Sequence, residues 1–513
     1  MLPLTGEPPL DAWKERNMNV KGMFGCRVGA GVAVLLAVVC TWSLLLSGQT
    51  KYVPVVKAQC GPGSRPETGL QGQTTAAERF SPGAPNAYSC NLELVGQFQG
   101  EGAAWDMGVS DACAYIGTTD GPGRQNRGTV VLDVADPRNP RPVAYLDSLA
   151  LIEPNESISV HAGRKLLAAT KYHQQNFDIY DVSDCRRPVL KATFKLPNLE
   201  GHASNFSPDG RTYYGTSFKT ATNNVIGPPN SVFAIDVSDP SRPREIARYT
   251  PEPNTLGEIH HVHINAAGTR AFVSLLGSTA NGLALFDISD IQSRKPNAQF
   301  RLIKRLWTDG LGTQSAMAVA INNRPYLIST GGLFTQDGPS AACAQGLPLS
   351  GFGRIHDISD EQNPKFVSSL MLEVQDPANC TRVLNETSPN TQGFFCALDN
   401  PQNAKLLACG YYDSGVRVFD IHDPLRPREI AYYKPPAPGK APVRPGSWWA
   451  AGIAPGYRSP PERRADAVPF VAAFRSGGEI WFISHDGGFQ IVRFTDWIKN
   501  TEKALFSGLQ SRL

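Results

Sequence analysis

The stretch "VFDIHDPLRPREIAYY", Val418–Tyr433, repeats a phrase that stands much earlier as "VFAIDVSDPSRPREIARY", Val232–Tyr249. Both run an apolar segment into an Asp, then Asp-Pro, then Arg-Pro-Arg-Glu-Ile. Aligned on the first Asp, the chain holds six clear copies, at Asp133, Asp181, Asp236, Asp287, Asp357 and Asp420. A seventh, "FQIVRFTD", keeps the apolar run and the second Asp as Asp496, but has Arg493 where the first Asp stood. Successive first-Asp positions are 48, 55, 51, 70, 63 and 73 residues apart, 60 on average. Such a period suits four strands of about 5–6 residues each plus their turns.

Each unit has one internal order. A strand such as "RAFVSLL" or "KLLACGYY" precedes a Gly-containing turn, and an apolar strand then ends in Asp. An Asp-(Pro)-x-x-Pro corner follows, and last a strand such as "EIARY" or "FVSSL". The Asp carboxylates are suited to accept backbone N–H groups two residues on, which fixes a tight corner. Proline pre-sets φ there and lies outside the ladder, where its missing N–H costs nothing. A single unit leaves an apolar face wet, so neighbours must stack.

The two ends decide between an open stack and a ring. "LELVGQFQG", Leu92–Gly100, has the character of a last strand with no corner before it, whereas "WIKNTEK" after Asp496 supplies no last strand. The front end can therefore complete the final unit, a device that removes exposed sheet edges. The predicted fold is all-β: one seven-bladed β-propeller of four-stranded blades over 92–498, closed by an N-terminal strand. An eighth blade would have to come from Lys434–Val468, which contains "SWWAAGIAP".

The runs "VVLDV", "FDIYDV", "FAIDV", "ALFDI", "RIHDI" and "RVFDI" resemble the LVIVD repeat, a short apolar run ending in Asp before a D-P-x-x-P corner. The resemblance covers roughly Leu92–Trp497 and implies an exported, often surface-attached propeller. It transfers no catalytic residue, because the repeated motif carries structure. Copies four and five depart from it by lacking Pro directly after the second Asp.

Ahead of the repeats, Val28–Leu46 is an uncharged run of nineteen residues preceded by Lys14, Arg16, Lys21 and Arg27. It is long for a cleaved signal and close to the ~20 residues that span a bilayer. The basic flank comes first and orients the chain outward. The expected organisation is a cytoplasmic segment 1–27, a transmembrane signal anchor 28–46, an extracytoplasmic linker 47–91, the propeller, and a tail 499–513. The propeller then lies outside the cytoplasm, in a periplasm or at a cell surface, and is secreted if the run is cleaved. Eight cysteines follow Cys40, an even number that permits disulfides without revealing their pairing. Cys396 and Cys409 flank a strand-turn-strand, which leaves a cross-strand disulfide and two buried thiols both open. A net charge of +3 without basic runs speaks against a nucleic-acid partner. With 48 Gly and 41 Pro, the chain is rich in turns.

The candidate chemistry lies in "GEIHHVHIN", with His260, His261 and His263. Strand alternation puts His261 and His263 on one face and His260 on the other. This is the inner strand of its blade; His202 aligns with His260 one blade earlier, and His161 lies in the inner strand of the second blade. Imidazoles converging from inner strands are suited to Cu, Zn or Fe. Hydrogen-bonded structural histidines are the plainer alternative. Glu101, Asp106, Glu200 and Glu258 are acidic companions near the same mouth, read otherwise as solvated carboxylates. The corner aspartates are turn caps. His356 and His422 read as surface or interblade groups, Trp448 and Trp449 as a cover over one channel end, and Gly332–Gly353 as the longest insertion within a unit. Sequons stand at Asn155, Asn379 and Asn385. No G-x-S-x-G, P-loop or H-E-x-x-H is present. Two functions compete. One is a membrane-anchored module binding a protein or small-molecule ligand through loops and channel mouth. The other is a metal-dependent oxidoreductase or hydrolase using His202, His260, His261 and His263.

Overall fold

Each first Asp of the repeated phrase is the last residue of the third strand of a four-stranded antiparallel sheet. The computed structural model describes residues 52–80, 87–172, 174–217, 230–253, 255–276, 281–306, 312–331, 338–386, 390–439, 441–450 and 465–507. Six sheets are built from consecutive strands, with inner strands Met107–Ser110, Ser159–His161, Ser204–Phe206, Glu258–Ile264, Ala316–Ile321 and Gly393–Leu398. The seventh joins Phe470–Arg475, Glu479–Ser484 and Gly488–Phe494 to Leu92–Phe98 from the front of the chain. Pairing runs from Leu92 opposite Phe494 to Phe98 opposite Phe489, with a bulge between Leu94 and Gly96. The ring is closed as the orphan strand predicts, with seven blades. The described residues between 434 and 468 add no eighth.

The corners are made by carboxylates. The first Asp accepts the N–H two residues on in every full copy: Ala135 donates to Asp133 at 3.0 Å, Ser238 to Asp236 at 3.0 Å and His422 to Asp420 at 3.1 Å. The second repeats the device, as with Arg138 to Asp136 and Leu425 to Asp423, both 3.1 Å. Copy five keeps it with Glu361 in place of the proline that directly follows the second Asp, through Gln362 to Asp360 at 3.1 Å. Copy four does not: Asp290 lies in the short helix Ser289–Gln292. The side chain, not the proline, sets the turn.

The apolar core is divided among seven interblade layers. Tyr115 and Leu167 share the layer between blades 1 and 2, Ile179 and Phe233 the next, and Phe482 and Val418 the one between blades 6 and 7. An aromatic cluster of Trp105, Phe394, Phe395, Tyr412 and Trp449, with Trp448 beside it, adjoins the channel at Phe395 and Phe470.

From Tyr52 onward, the segment expected to be a linker lies against the ring. Tyr88–Cys90 adds a fifth strand to blade 6, opposite Lys434–Tyr432. Val55 N–H donates to the Met371 carbonyl at 2.8 Å, and Glu429 N–H to the Val56 carbonyl at 2.9 Å. All eight of these cysteines are paired, as Cys60–Cys90, Cys113–Cys185, Cys343–Cys380 and Cys396–Cys409. The last is the cross-strand pair, its two residues directly opposite each other. Four disulfides point to an oxidising compartment outside the cytoplasm. The apolar run 28–46 lies outside the described residues; among the described residues no helix is long and apolar enough to cross a membrane.

Candidate functional site

The inner strands of all seven blades enclose an axial channel of about 650 Å³. Its wall is mixed: Val109, Val160, Phe206, Met317, Ala318 and Phe474 supply apolar surface, and Asp106, Glu156, His261, His263 and Arg475 supply nearly as much polar surface. His261 and His263 share the channel face, as alternation predicts. Burial lowers the pKa of both imidazoles, His263 to about 4 and His261 well below its ordinary value, the latter helped by His263 and His260 nearby. The Nδ1 of His261 is buried with no hydrogen-bond partner.

His260 lies off that face, as alternation also predicts, and a bulge falls on it. Ile259 opposes Leu275 and His261 opposes Ser274, so His260 is the extra residue. Its ring points instead toward the preceding blade, where its Nε2 lies 2.8 Å from the Nε2 of His202. Glu156, in the loop before the inner strand of blade 2, completes the group: its Oε2 is 3.7 Å from His202 Nε2 and 3.6 Å from His260 Nε2. All three residues are buried.

Their outward contacts are specific. The Nδ1–H of His260 donates to the Gln314 carbonyl at 2.9 Å, which leaves its Nε2 as a lone pair. The Gln314 side-chain amide lies 3.1 Å from that Nε2 and 3.4 Å from both Glu156 oxygens. His202 Nδ1 faces the amide of Asn155 at 3.1 Å. Burial, followed by the charge of Asp106, raises Glu156 well above the ordinary carboxyl range; burial alone does so for Asp106, against hydrogen bonds from Met107 and Ile158. Burial holds His260 down at about 4.

The four histidines expected to form one cluster thus divide. His202 and His260 converge, while His261 and His263 line the channel. Glu156, Gln314 and Asn155 were missed. Glu156 is a lone carboxylate in a mouth loop, and its partners come from two other blades. The one available signal was the alignment of its loop with the segment carrying His202. Of the acidic companions, Asp106 lies beside Glu156, whereas Glu101 is tied to Arg124 at 3.1 Å. His161 accepts from Arg164 N–H at 3.0 Å and caps a short turn. His422 joins its corner, 2.6 Å from Asp420. Asn155 is buried against His202, so that sequon is closed to modification in the folded ring.

A second buried acid stands in blade 7. Burial, then the neighbouring Asp486, pushes Asp466 up to about 7 against hydrogen bonds from Ser484 Oγ (2.7 Å) and the N–H groups of Asp486 and Gly487. Tyr433 lies in the same field. The folded state holds this proton to higher pH than the unfolded chain. Its favourable contribution is therefore complete below about pH 4 and is lost as pH rises through 7. Asp466→Asn should flatten the stability profile between about pH 4 and 7, where the native chain loses up to ~1.4 kcal/mol per pH unit. Denaturant midpoints across that range measure it; an unchanged slope in Asp466→Asn rejects the assignment.

Fold and channel define a closed, seven-bladed repeat propeller with a polar group buried at the mouth ends of its inner strands. In particular, the LVIVD repeat family matches residues 228–251, the third strand, corner and fourth strand of blade 3. With the seven-bladed ring, this fits an LVIVD-repeat propeller. Among solved structures, the hydrazine synthase of Kuenenia stuttgartiensis is similar at 14% identity, over 65% of this chain and 79% of that one, with a TM-score of 0.42. None of the curated proteins compared with the chain matches it.

Proposed function

We propose that this chain is an extracytoplasmic binding propeller, held at the membrane by its N-terminal apolar run, with the axial channel as its ligand site. The channel carries this reading: at about 650 Å³ it falls within the ~300–1,000 Å³ of ligand sites. Apolar side chains interleaved with Asp106, Glu156, His261, His263 and Arg475 suit a small molecule that carries both apolar surface and several hydrogen-bonding groups. Four disulfides support an exported location.

A neutral solvatochromic dye tests it. One dye per chain should bind with a blue-shifted emission, and Ala318→Trp, which fills the channel, should weaken it about tenfold, ~1.4 kcal/mol. Equal affinity in a folded Ala318→Trp variant would remove the channel as the site.

A further inference from the structure

We propose that Glu156, His202 and His260 form a three-ligand site for a first-row divalent transition metal. The site goes beyond the channel reading and stands or falls separately from it.

The geometry is close to what an ion requires. The atoms His202 Nε2, His260 Nε2 and Glu156 Oε2 form a triangle with sides of 2.8, 3.6 and 3.7 Å. The circle through its corners has a radius of about 2.0 Å, so one point is equidistant from all three at the ~2.0–2.2 Å of zinc–nitrogen and zinc–oxygen bonds. Two imidazoles and a carboxylate are a donor set used for zinc and other first-row ions.

The surroundings agree. Metal-binding imidazoles usually donate the other ring N–H to a carbonyl or carboxylate, which fixes the tautomer. His260 does so to the Gln314 carbonyl. For His202 the candidate is Asn155, whose Oδ1 is buried with no hydrogen-bond partner while its Nδ2 faces the ring nitrogen. Amide oxygen and nitrogen are assigned by their neighbours. Exchanging the two makes Oδ1 the acceptor of His202 Nδ1–H and frees the Nε2 lone pair. Both Nε2 lone pairs then face each other beside a carboxylate, an arrangement that a shared cation relieves, with the Gln314 amide beside it 3.1 Å from His260 Nε2. Without metal, His202 Nε2–H donates to His260 Nε2, and the Asn155 oxygen stays unsatisfied at a cost of roughly 1–3 kcal/mol. Glu156 also lines the channel, so it is the ligand on the accessible side. Asn155 itself has a φ of 52°, a left-handed conformation in which glycine is the least strained replacement.

The test uses the full chain, stripped with a chelator and titrated with Co²⁺, followed by displacement with Zn²⁺. One equivalent of Co²⁺ should give visible d–d absorption that Zn²⁺ abolishes. Glu156→Gln, which keeps shape, and His202→Ala should each weaken Co²⁺ at least ~100-fold, and Asn155→Gly about tenfold, within the ~10–100-fold that outer partners contribute. His263→Ala should leave the affinity unchanged. Circular dichroism confirms that each variant is folded. Failure of the unmodified chain to take up Co²⁺ or Zn²⁺ overturns the proposal without any variant. Undiminished uptake in folded Glu156→Gln, or loss of uptake in His263→Ala alone, overturns it as well.

Discussion

A chain that begins after Gln99 should not yield a folded monomer, whereas one that begins at Tyr52 should. The first lacks Leu92–Phe98, and the third strand of blade 7, Gly488–Phe494, would then present its whole length as an unpaired edge. Leu92 would also leave the layer it fills with Val492 and Phe494. Ring geometry makes this loss cooperative, because blade 7 buries one face against blade 6 and the other against blade 1. The deficit is expected to match the whole stability of an ordinary domain, on the order of 5–15 kcal/mol, and an open edge of this kind favours aggregation. Size-exclusion chromatography and near-UV circular dichroism check it, and a peptide of residues 52–99, which also carries Glu67, Glu78 and Cys60, added in trans should restore the monomer. A graded version exists at Gly96, where a Cβ would stand 2.0 Å from the Pro137 carbonyl of the blade 1 corner. Gly96→Val should cost ~1–3 kcal/mol through that overpacking. A shortened chain with the native unfolding midpoint would mean that the ring does not depend on its closing strand.

The same strand shows why much of the fold was legible. Leu92–Phe98 and Gly488–Phe494 are each recognisable from their neighbours in the repeat, and their complementary defects specify a partnership across the whole chain. The corners were legible because two aspartates at fixed spacing make their own hydrogen bonds, as copy five shows without a proline directly after its second Asp. Copy four holds a helix where its corner runs two residues longer, from Asp290 to Pro296 against Asp239 to Pro243 in copy three. Tyr88–Cys90 escaped notice because three residues carry no periodicity; the pairing opposite Lys434 is fixed by the Cys60–Cys90 link and the Arg65–Ser89 bridge. At the site, alternation placed His261 and His263 correctly. It also put His260 on the other face, and the alignment of His202 with His260 anticipated their meeting; what it could not predict is that a carboxylate from a third blade would join them. Local spacing carries strands and turns, while convergence between blades depends on loop paths that no local pattern encodes.

Arg417→Ala should be the most damaging single substitution away from the channel, at ~3–5 kcal/mol, because it strands buried carboxylates. The guanidinium is fully buried in the third strand of blade 6. It pairs with Glu67 through both terminal nitrogens, with Glu429 at 3.1 Å and with the Ser414 carbonyl at 2.8 Å, and it stacks 4.5 Å from the Tyr432 ring centre. Lys434 adds a second cation, 3.0 Å from Glu78 and 3.6 Å from Glu67. Burial works against charge in all of these groups. Arg417 and Lys434 nevertheless hold Glu67 below the ordinary range, whereas for Glu429 burial wins over Arg417 and raises it. Three carboxylates share two cations, so removing one cation leaves at least one carboxylate with no compensation but a proton. The network also joins the front segment to the ring: Glu67 and Glu78 belong to the former, and Gln71 donates to Glu429 at 2.9 Å. Arg417→Ala should therefore expose residues 52–80 to protease as well as lower the denaturation midpoint. Replacing the set together, as Arg417→Met with Glu67→Leu and Glu429→Leu, should recover most of the loss, since an apolar substitute for a whole buried ion group is often neutral. If Arg417→Ala kept the native midpoint and protease resistance, the front segment would be held by its disulfide and strand pairing, and the ion group would be incidental to its docking.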